Sequence, residues 1–471
     1  MTKIRKKRVR GNESRSSRRS HQQREKLAAV LSAICCLFIC GLLGVVPLPR
    51  WSGSPPPDTS PLRARKEGRR RARRGWKGLL PMRRALEEPA WNPEATALAQ
   101  DILSAETQLV DIDFGEDYSL EDGSYEGIMA VFCPLDFAAQ KKKPPEQPMF
   151  KDVVANSKCD KQQNVVRVDL AEAYALAAEF DADNAGDLPH VLDLKGAVFH
   201  ESRCGSTLAA NALLALEPAR HRVYSESAPP AAALRACGED YDACSPAAAA
   251  RLLQDIVYLM GRSGDPQEER LFFKFQSITT RTLETFRQAF PTTPWIFLYR
   301  DPVEVMTSQL RVPKTAQANC VRAKRRSPAI RNFIARTEYA LEEFSDEEVC
   351  AVHLATLCEA AERHLDDAAG TGAAVRYTPD LASTLLDNVF FAHFGTPVDQ
   401  AGRDRAMKVA GTYSKNRGKQ EEGGFQPDTE AKARRASQEI KDAAKEYLEP
   451  SYRRLQHSPY NIDPVYDDDK N

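Results

Sequence analysis

The chain lacks a Cys-x-x-Cys pair: none of its 11 cysteines stands three residues from another. That absence argues against a zinc site built on cysteines, and no metal site is expected. It also lacks a GxxxxGK[ST] run. A nucleotide-hydrolysing P-loop needs both the leading glycine and the lysine, so an ordinary kinase or ATPase loses ground. No internal repeat is visible. The sequon Asn-x-Ser/Thr occurs once, at Asn12-Glu13-Ser14, and a secretory location gains no support from glycosylation sites. Net charge is missing as well, 66 Lys and Arg standing against 66 Asp and Glu. The balance is uneven along the chain, basic at the front and acidic at Asp467–Asp469.

One long apolar run is present. Leu27–Val46 reads LAAVLSAICCLFICGLLGVV without a charged residue, and about 20 helical residues span a bilayer core of roughly 30 Å. A cleaved signal peptide has an apolar core of roughly 7–15 residues and a small-residue cleavage site. This run is longer and ends in Pro47-Leu48-Pro49, so a retained anchor is expected. Arg15, Arg18, Arg19, Arg24 and Lys26 precede it, whereas only Arg50 follows closely. The positive-inside rule then puts the amino terminus in the cytoplasm and the bulk of the chain in a lumen. A second basic block, Arg69–Arg74 with Lys77, opposes that orientation, and its distance from the membrane limits its weight. Cys35, Cys36 and Cys40 lie within the run, open to palmitoylation or plain packing. Cys237 and Cys244 are close enough to close a short loop in an oxidising lumen.

Residues 47–90 are rich in Pro, Arg, Gly and Ser and read as a disordered stem. Residues 91–190 give mixed signals, with a helix at Ala95–Leu103, a strand at Gly127–Phe132 and a charged loop at Lys141–Gln147. After Pro189 the pattern becomes regular. Apolar runs at Ala197–Phe199, Arg222–Tyr224, Leu271–Phe275, Trp295–Tyr299 and Ala374–Tyr377 alternate with helical patterns at Leu208–Leu216, Ala247–Met260, Arg281–Phe290 and Val303–Leu310. Short continuous apolar strands between amphipathic helices predict an α/β fold, a mostly parallel central sheet flanked by helices on both faces. Function then belongs at the carboxyl ends of those strands. The expected organisation is a basic cytoplasmic tail (1–26), an anchor (27–46), the stem (47–90), an extension of unassigned role (91–190), a catalytic domain (191–455) and an acidic tail (456–471).

Two turns carry chemistry. The first, Phe199-His200-Glu201-Ser202-Arg203-Cys204-Gly205-Ser206-Thr207-Leu208, joins a strand to a helix. Helix-start N–H groups, the dipole and two hydroxyls make an anion cradle; the plainer account is an ordinary Ser/Thr cap. In the second, Trp295–Tyr299 leads into Arg300-Asp301-Pro302, with Ser308 two helical turns on. An Arg and a hydroxyl there converge on one anion, unless Arg300 is simply a salt-bridged strand end.

In this order and spacing the two turns resemble those of the sulfotransferase family that uses 3′-phosphoadenosine 5′-phosphosulfate (PAPS). The first is similar to its 5′-phosphosulfate loop, (R/K)SG(S/T)T between a strand and a helix, and the second to its 3′-phosphate motif, RDP followed by Ser. Ser225-Glu226, Phe273-Lys274-Phe275 and Tyr413-Ser414-Lys415-Asn416-Arg417 extend the resemblance, which covers roughly 191–428. It implies a membrane-anchored, P-loop-NTPase-like sulfotransferase fold with PAPS as cofactor. Arg203, Cys204, Gly205, Ser206 and Thr207 would hold the 5′-phosphosulfate, Arg300 and Ser308 the 3′-phosphate, with Lys415 and Arg417 as looser contacts. Cys204 stands where Ser is common, which sets a thiol beside the donor. Arg203 and Lys274 would stabilise the transferring group. Glu226 would serve as general base, with His200 and Glu201 as rivals. The plainer accounts are a helix-cap carboxylate for Glu226 and a solvent-reaching strand-end lysine for Lys274.

The implied partners are a carbohydrate or protein acceptor, carbohydrate favoured over tyrosine, and the membrane through one helix, with no nucleic acid. Family habit adds a Golgi location as a single-pass type II protein. Two readings from other classes stay open: a nucleotide-dependent P-loop phosphotransferase, and a non-catalytic anchored binding protein. Arg322, Lys324, Arg325 and Arg326 form a basic loop that either draws an anionic polymer or is merely solvated. Tyr466 before the acidic run resembles a sulfation site, though a disordered acidic tail is the plainer account.

Overall fold

The apolar runs of the carboxyl-terminal two thirds become strands because their side chains find cover on both faces. The computed structural model describes residues 99–159, 165–311, 317–322, 324–366, 369–412 and 434–462. Contacts divide the chain into Met1–Arg74 and Gly75–Asn471, and every described residue belongs to the second unit. The expected anchor, stem and cytoplasmic tail lie outside the described residues, as do Tyr466, Lys415 and Arg417. Among the described residues no helix is long and apolar enough to cross a membrane.

The strands are β1 Gln108–Glu121, β2 Ser124–Cys133, β3 Val166–Asp169, β4 His190–Val191, β5 Asp193–His200, β6 His221–Ser225, β7 Arg262–Ser263, β8 Arg270–Lys274, β9 Trp295–Tyr299 and β10 Gly372–Arg376. The helices that matter here are α1 Leu170–Asp183, α2 Ser206–Leu216, α3 Ala228–Leu234, α4 Pro246–Met260, α5 Leu283–Ala289, α6 Pro302–Leu310, α7 Pro328–Ile334, α8 Asp346–Leu365 and α9 Gln400–Ala410.

Five strands form one parallel sheet in the order β10-β9-β5-β8-β6. Alternation along each strand feeds two cores. Phe199, Tyr224, Phe273, Phe297 and Tyr299 face one, with α4, α5 and α8. Val198, Val223, Phe272, Ile296, Leu298 and Val375 face the other, with α2. A sheet covered twice needs no polar face, which is why these strands read as continuous apolar runs.

β5 is central. The chain leaves it for β6 and β8 on one side and then crosses to β9 and β10 on the other. The connection switches sides between β5 and β9, and the crevice outside their carboxyl ends is where such sheets bind ligands.

In the segment without assigned chemistry, 91–190, the described residues pack into the core. β1, β2 and β3 form an antiparallel sheet whose Leu109, Ile112, Ile128 and Phe132 join the same core as α4 and β8. Tyr125 on β2 donates to Asp255 of α4 at 3.0 Å. The stretch expected to be a loop at Lys141–Gln147 instead ends a helix, Ala138–Lys142, and makes a 3₁₀ turn, Pro144–Glu146; Pro144 opens that turn, where a missing N–H costs nothing. Among the described residues three disulfides are formed: Cys133–Cys159, Cys237–Cys244 and Cys320–Cys350. Cys204 and Cys358 are free and buried.

Candidate active site

The turn after β5 is bent by its backbone. Ser202, Arg203 and Gly205 all take positive φ, at 79°, 59° and 88°, a conformation only glycine adopts without cost. Gly205 is also the point of closest packing, since a Cβ there would meet Leu381 Cδ2 at 2.7 Å and Tyr377 Cδ2 at 2.9 Å. The curled loop ends at the start of α2, and Ser206 and Thr207 occupy its first turn. Backbone N–H groups at a helix start, preceded by left-handed residues, form a concave anion site. Cys204 contributes backbone only. Its thiol is fully buried, and burial pushes its pKa up to about 12.

The second turn meets the first. Arg203 Nε donates to Ser308 Oγ at 2.9 Å across 105 residues of sequence. Asp301 caps α6 by accepting from Glu304 N at 3.1 Å, with Pro302 in the first turn. Arg300 is buried: its Nε donates to Glu304 Oε2 at 2.6 Å, a second nitrogen pairs with the same oxygen, and its guanidinium lies 4.0 Å from the Tyr377 ring centroid. Its remaining arm reaches the Arg203 carbonyl at 3.5 Å. The salt-bridged strand-end account of Arg300 therefore describes its contacts in part, and those contacts hold the guanidinium beside the loop.

On the other side of β5, the ends of β6 and β8 carry Glu226 and Lys274. The two side chains form an ion pair, and Glu226 N donates to the Lys274 carbonyl at 2.6 Å. Glu226 has φ 57°. Lys274 is 1 % exposed, so it does not reach solvent, whereas the Glu226 side chain is 35 % exposed. Solvent can reach Glu226. It cannot reach the two rivals in the same way. His200 is buried, with Nδ1 accepting from Ser202 N at 2.9 Å and Nε2 facing the Phe275 carbonyl at 3.0 Å and lying 3.8 Å from Glu226 Oε1; its Nδ1 lone pair is engaged by the Ser202 N–H. Glu201 is 1 % exposed. One of its oxygens accepts from Arg300 N and the other faces Cys358 Sγ at 3.6 Å. Burial pushes its pKa well above the ordinary carboxylate range.

Thus Arg203, Arg300 and Ser308 come together on one side of β5, Glu226 and Lys274 on the other, and Gly205, Ser206 and Thr207 between them. Glu304 and Tyr377 were not anticipated. The Arg300 to Glu304 spacing of four on a helix was a usable signal; Tyr377 follows a strand 77 positions after Arg300 and had none. Among the described residues no cluster of three or more His, Cys, Asp or Glu is arranged to hold a metal. No family model and no curated protein matches the chain.

Proposed function

We propose that the chain is a sulfotransferase, moving a sulfuryl group from PAPS to a hydroxyl acceptor, a carbohydrate in preference to a protein tyrosine. The observation that carries this reading is the Arg203–Ser308 hydrogen bond, which joins the two phosphate-type turns at the switch point of a parallel sheet. The residues fit the cofactor: the curled loop and helix start suit a 5′-phosphosulfate, and Arg300, held beside that loop, suits a second phosphate. Lys415 and Arg417 are proposed as additional phosphate contacts.

PAPS supplies the activated sulfuryl group, which transfers through a loose, in-line transition state with charge on its outer oxygens. The chain's share is positioning and fixed positive charge. Arg203 lies on the loop beside that charge, and Lys274, desolvated at the end of β8, offers another cation with little reorganisation. Glu226 takes the proton of the acceptor hydroxyl as its oxygen attacks. Lys274 orients the carboxylate for that task.

The finer fold reading, a P-loop-like sulfotransferase domain on an N-terminal anchor in the Golgi membrane, type II, belongs to the same proposal. Three disulfides support an oxidising lumen. The test is calorimetric binding of adenosine 3′,5′-bisphosphate to the purified full chain. Binding that Arg300→Ala weakens by at least about 100-fold, worth some 2.7 kcal/mol, supports the reading. A folded protein that binds ATP with Mg²⁺ instead favours the phosphotransferase, and bisphosphate binding without turnover on any acceptor favours the anchored binding protein.

A further inference from the structure

The outer edge of β10 carries a bridge to the carboxyl-terminal residues. Asn461 pairs with Ala374 in parallel: Ala374 N donates to the Tyr460 carbonyl at 2.9 Å, and Ile462 N donates to the Ala374 carbonyl at 2.9 Å. Side chains hold the bridge from both faces of the sheet. Asn461 Nδ2 donates to Tyr299 Oη at 3.1 Å on one face, and Ile462 packs on the other into the core that Leu208 and Tyr377 join. Because the bridge is parallel, the chain at Ile462 is heading for the carboxyl edge of the sheet, where Arg203 and Arg300 stand. The next ladder bond, to the Arg376 carbonyl, would need an N–H at position 464. That residue is proline, so the ladder cannot continue past the end of β10.

Arg376, the last residue of β10, is half-buried and makes no ion pair among the described residues. Its Nε has no hydrogen-bond acceptor. Its side chain lies by Tyr452, whose ring meets that of Tyr299 edge-on at 5.4 Å between centroids, so it shares the face on which Asn461 bonds Tyr299. Strand residues two apart point to the same face. Carrying the Ala374–Asn461 register on by two would therefore set position 463 opposite Arg376 on that face, and residue 463 is aspartate. A guanidinium with a donor to spare opposite a carboxylate position is a favourable cross-strand pair.

Distance decides what the following residues can touch. Neighbouring strands lie about 4.8 Å apart, which puts the Asn461 edge roughly 10 Å from β9, about 14 Å from β5 and about 24 Å from β6. Residues 464–469 reach at most about 20 Å, which brings Asp467, Asp468 and Asp469 within range of Arg300 and Arg203. Tyr466, at most about 10 Å along, falls short of Glu226 at the end of β6. The segment is thus placed to compete with an anion and not to accept a sulfuryl group within its own molecule.

We propose that Asp463–Asp469 docks across the carboxyl ends of β10 and β9, with Asp463 on Arg376 and the three following aspartates over the Arg203–Arg300 anion site, and screens that site from anionic ligands. Screening of the donor nucleotide rests on the sulfotransferase reading; the docking stands on the bridge and on Arg376. Two readouts on the full chain test it. In Arg376→Cys with Asp463→Cys the docked segment sets two thiols opposite each other. Non-reducing peptide mapping after equilibration in a glutathione redox buffer should find the 376–463 disulfide in most molecules, and little of its counterpart in the control, Arg376→Cys with Asn471→Cys. Equal yields in the two would overturn the docking. In calorimetry with adenosine 3′,5′-bisphosphate, Arg376→Met should tighten binding at least about threefold, the factor expected if the segment covers the site in about two thirds of molecules. Replacing Asp467, Asp468 and Asp469 together by Asn should do the same. The sign is decisive, because removing a cation that merely adds its field to an anion site would weaken binding. Unchanged or weaker binding in Arg376→Met would overturn the screening. If neither wild type nor variants bind the bisphosphate while the 376–463 disulfide forms selectively, the docked segment stands and the sulfotransferase reading falls.

Discussion

Two carboxylates flank the end of β5 in opposite electrostatic settings. Glu226 is half-exposed and paired with Lys274; Glu201 is sealed in, with its pKa pushed well up by burial. On the proposed reading, that divergence gives Glu226 the role of base and Glu201 a structural one. Glu226→Gln should lower sulfuryl transfer by about 10²–10⁴-fold while leaving bisphosphate binding within about threefold, a split that single-turnover rates beside calorimetry would detect. For Glu201 the sign is set by linkage. Its folded pKa lies above the unfolded one, so its contribution to stability is fully present below the unfolded value and is lost as pH rises toward the folded value. Glu201→Gln mimics the neutral acid, so urea unfolding from pH 5 to 8 should show the variant losing less stability than the wild type. Parallel curves would mean that Glu201 is ionised in the folded protein.

At the scale of elements, the turn from β5 into α2 concentrates the demands of the site. Gly205 has left-handed φ and no room for a Cβ. Gly205→Ala should cost about 1–3 kcal/mol of stability from backbone strain alone, more if Leu381 and Tyr377 do not yield, and should weaken bisphosphate binding because the helix start is displaced. Denaturant midpoints and calorimetry on one preparation check both. This turn was legible in the sequence because a glycine and two hydroxyls between a strand and a helix have a local meaning. The RDP turn was legible for the same reason, since Asp301 and Pro302 are local capping signals. What was illegible at this scale was contact. Arg300 stacking on Tyr377 and accepting Glu304 as its counter-ion depends on neighbours brought by β10 and by the helix itself.

For the whole molecule, two of the three disulfides among the described residues, Cys237–Cys244 and Cys320–Cys350, close loops that follow strands of the parallel sheet. Removing Cys320–Cys350 by a double Ser substitution should cost about 2–5 kcal/mol, read by thermal melting, while bisphosphate binding persists, since the turn after β5 has no thiol link to that loop. The sequence alone determined the five parallel strands, their covering helices and the two turns at their carboxyl ends, because strand period, capping residues and turn glycines act over a few residues and leave a local pattern. Only the tertiary structure decided that Arg203 meets Ser308, that Glu226 is open while His200 and Glu201 are closed, and that the extension before β4 completes the core rather than standing apart. Burial, pairing and protonation depend on which distant residues surround a group, and no local pattern carries that information.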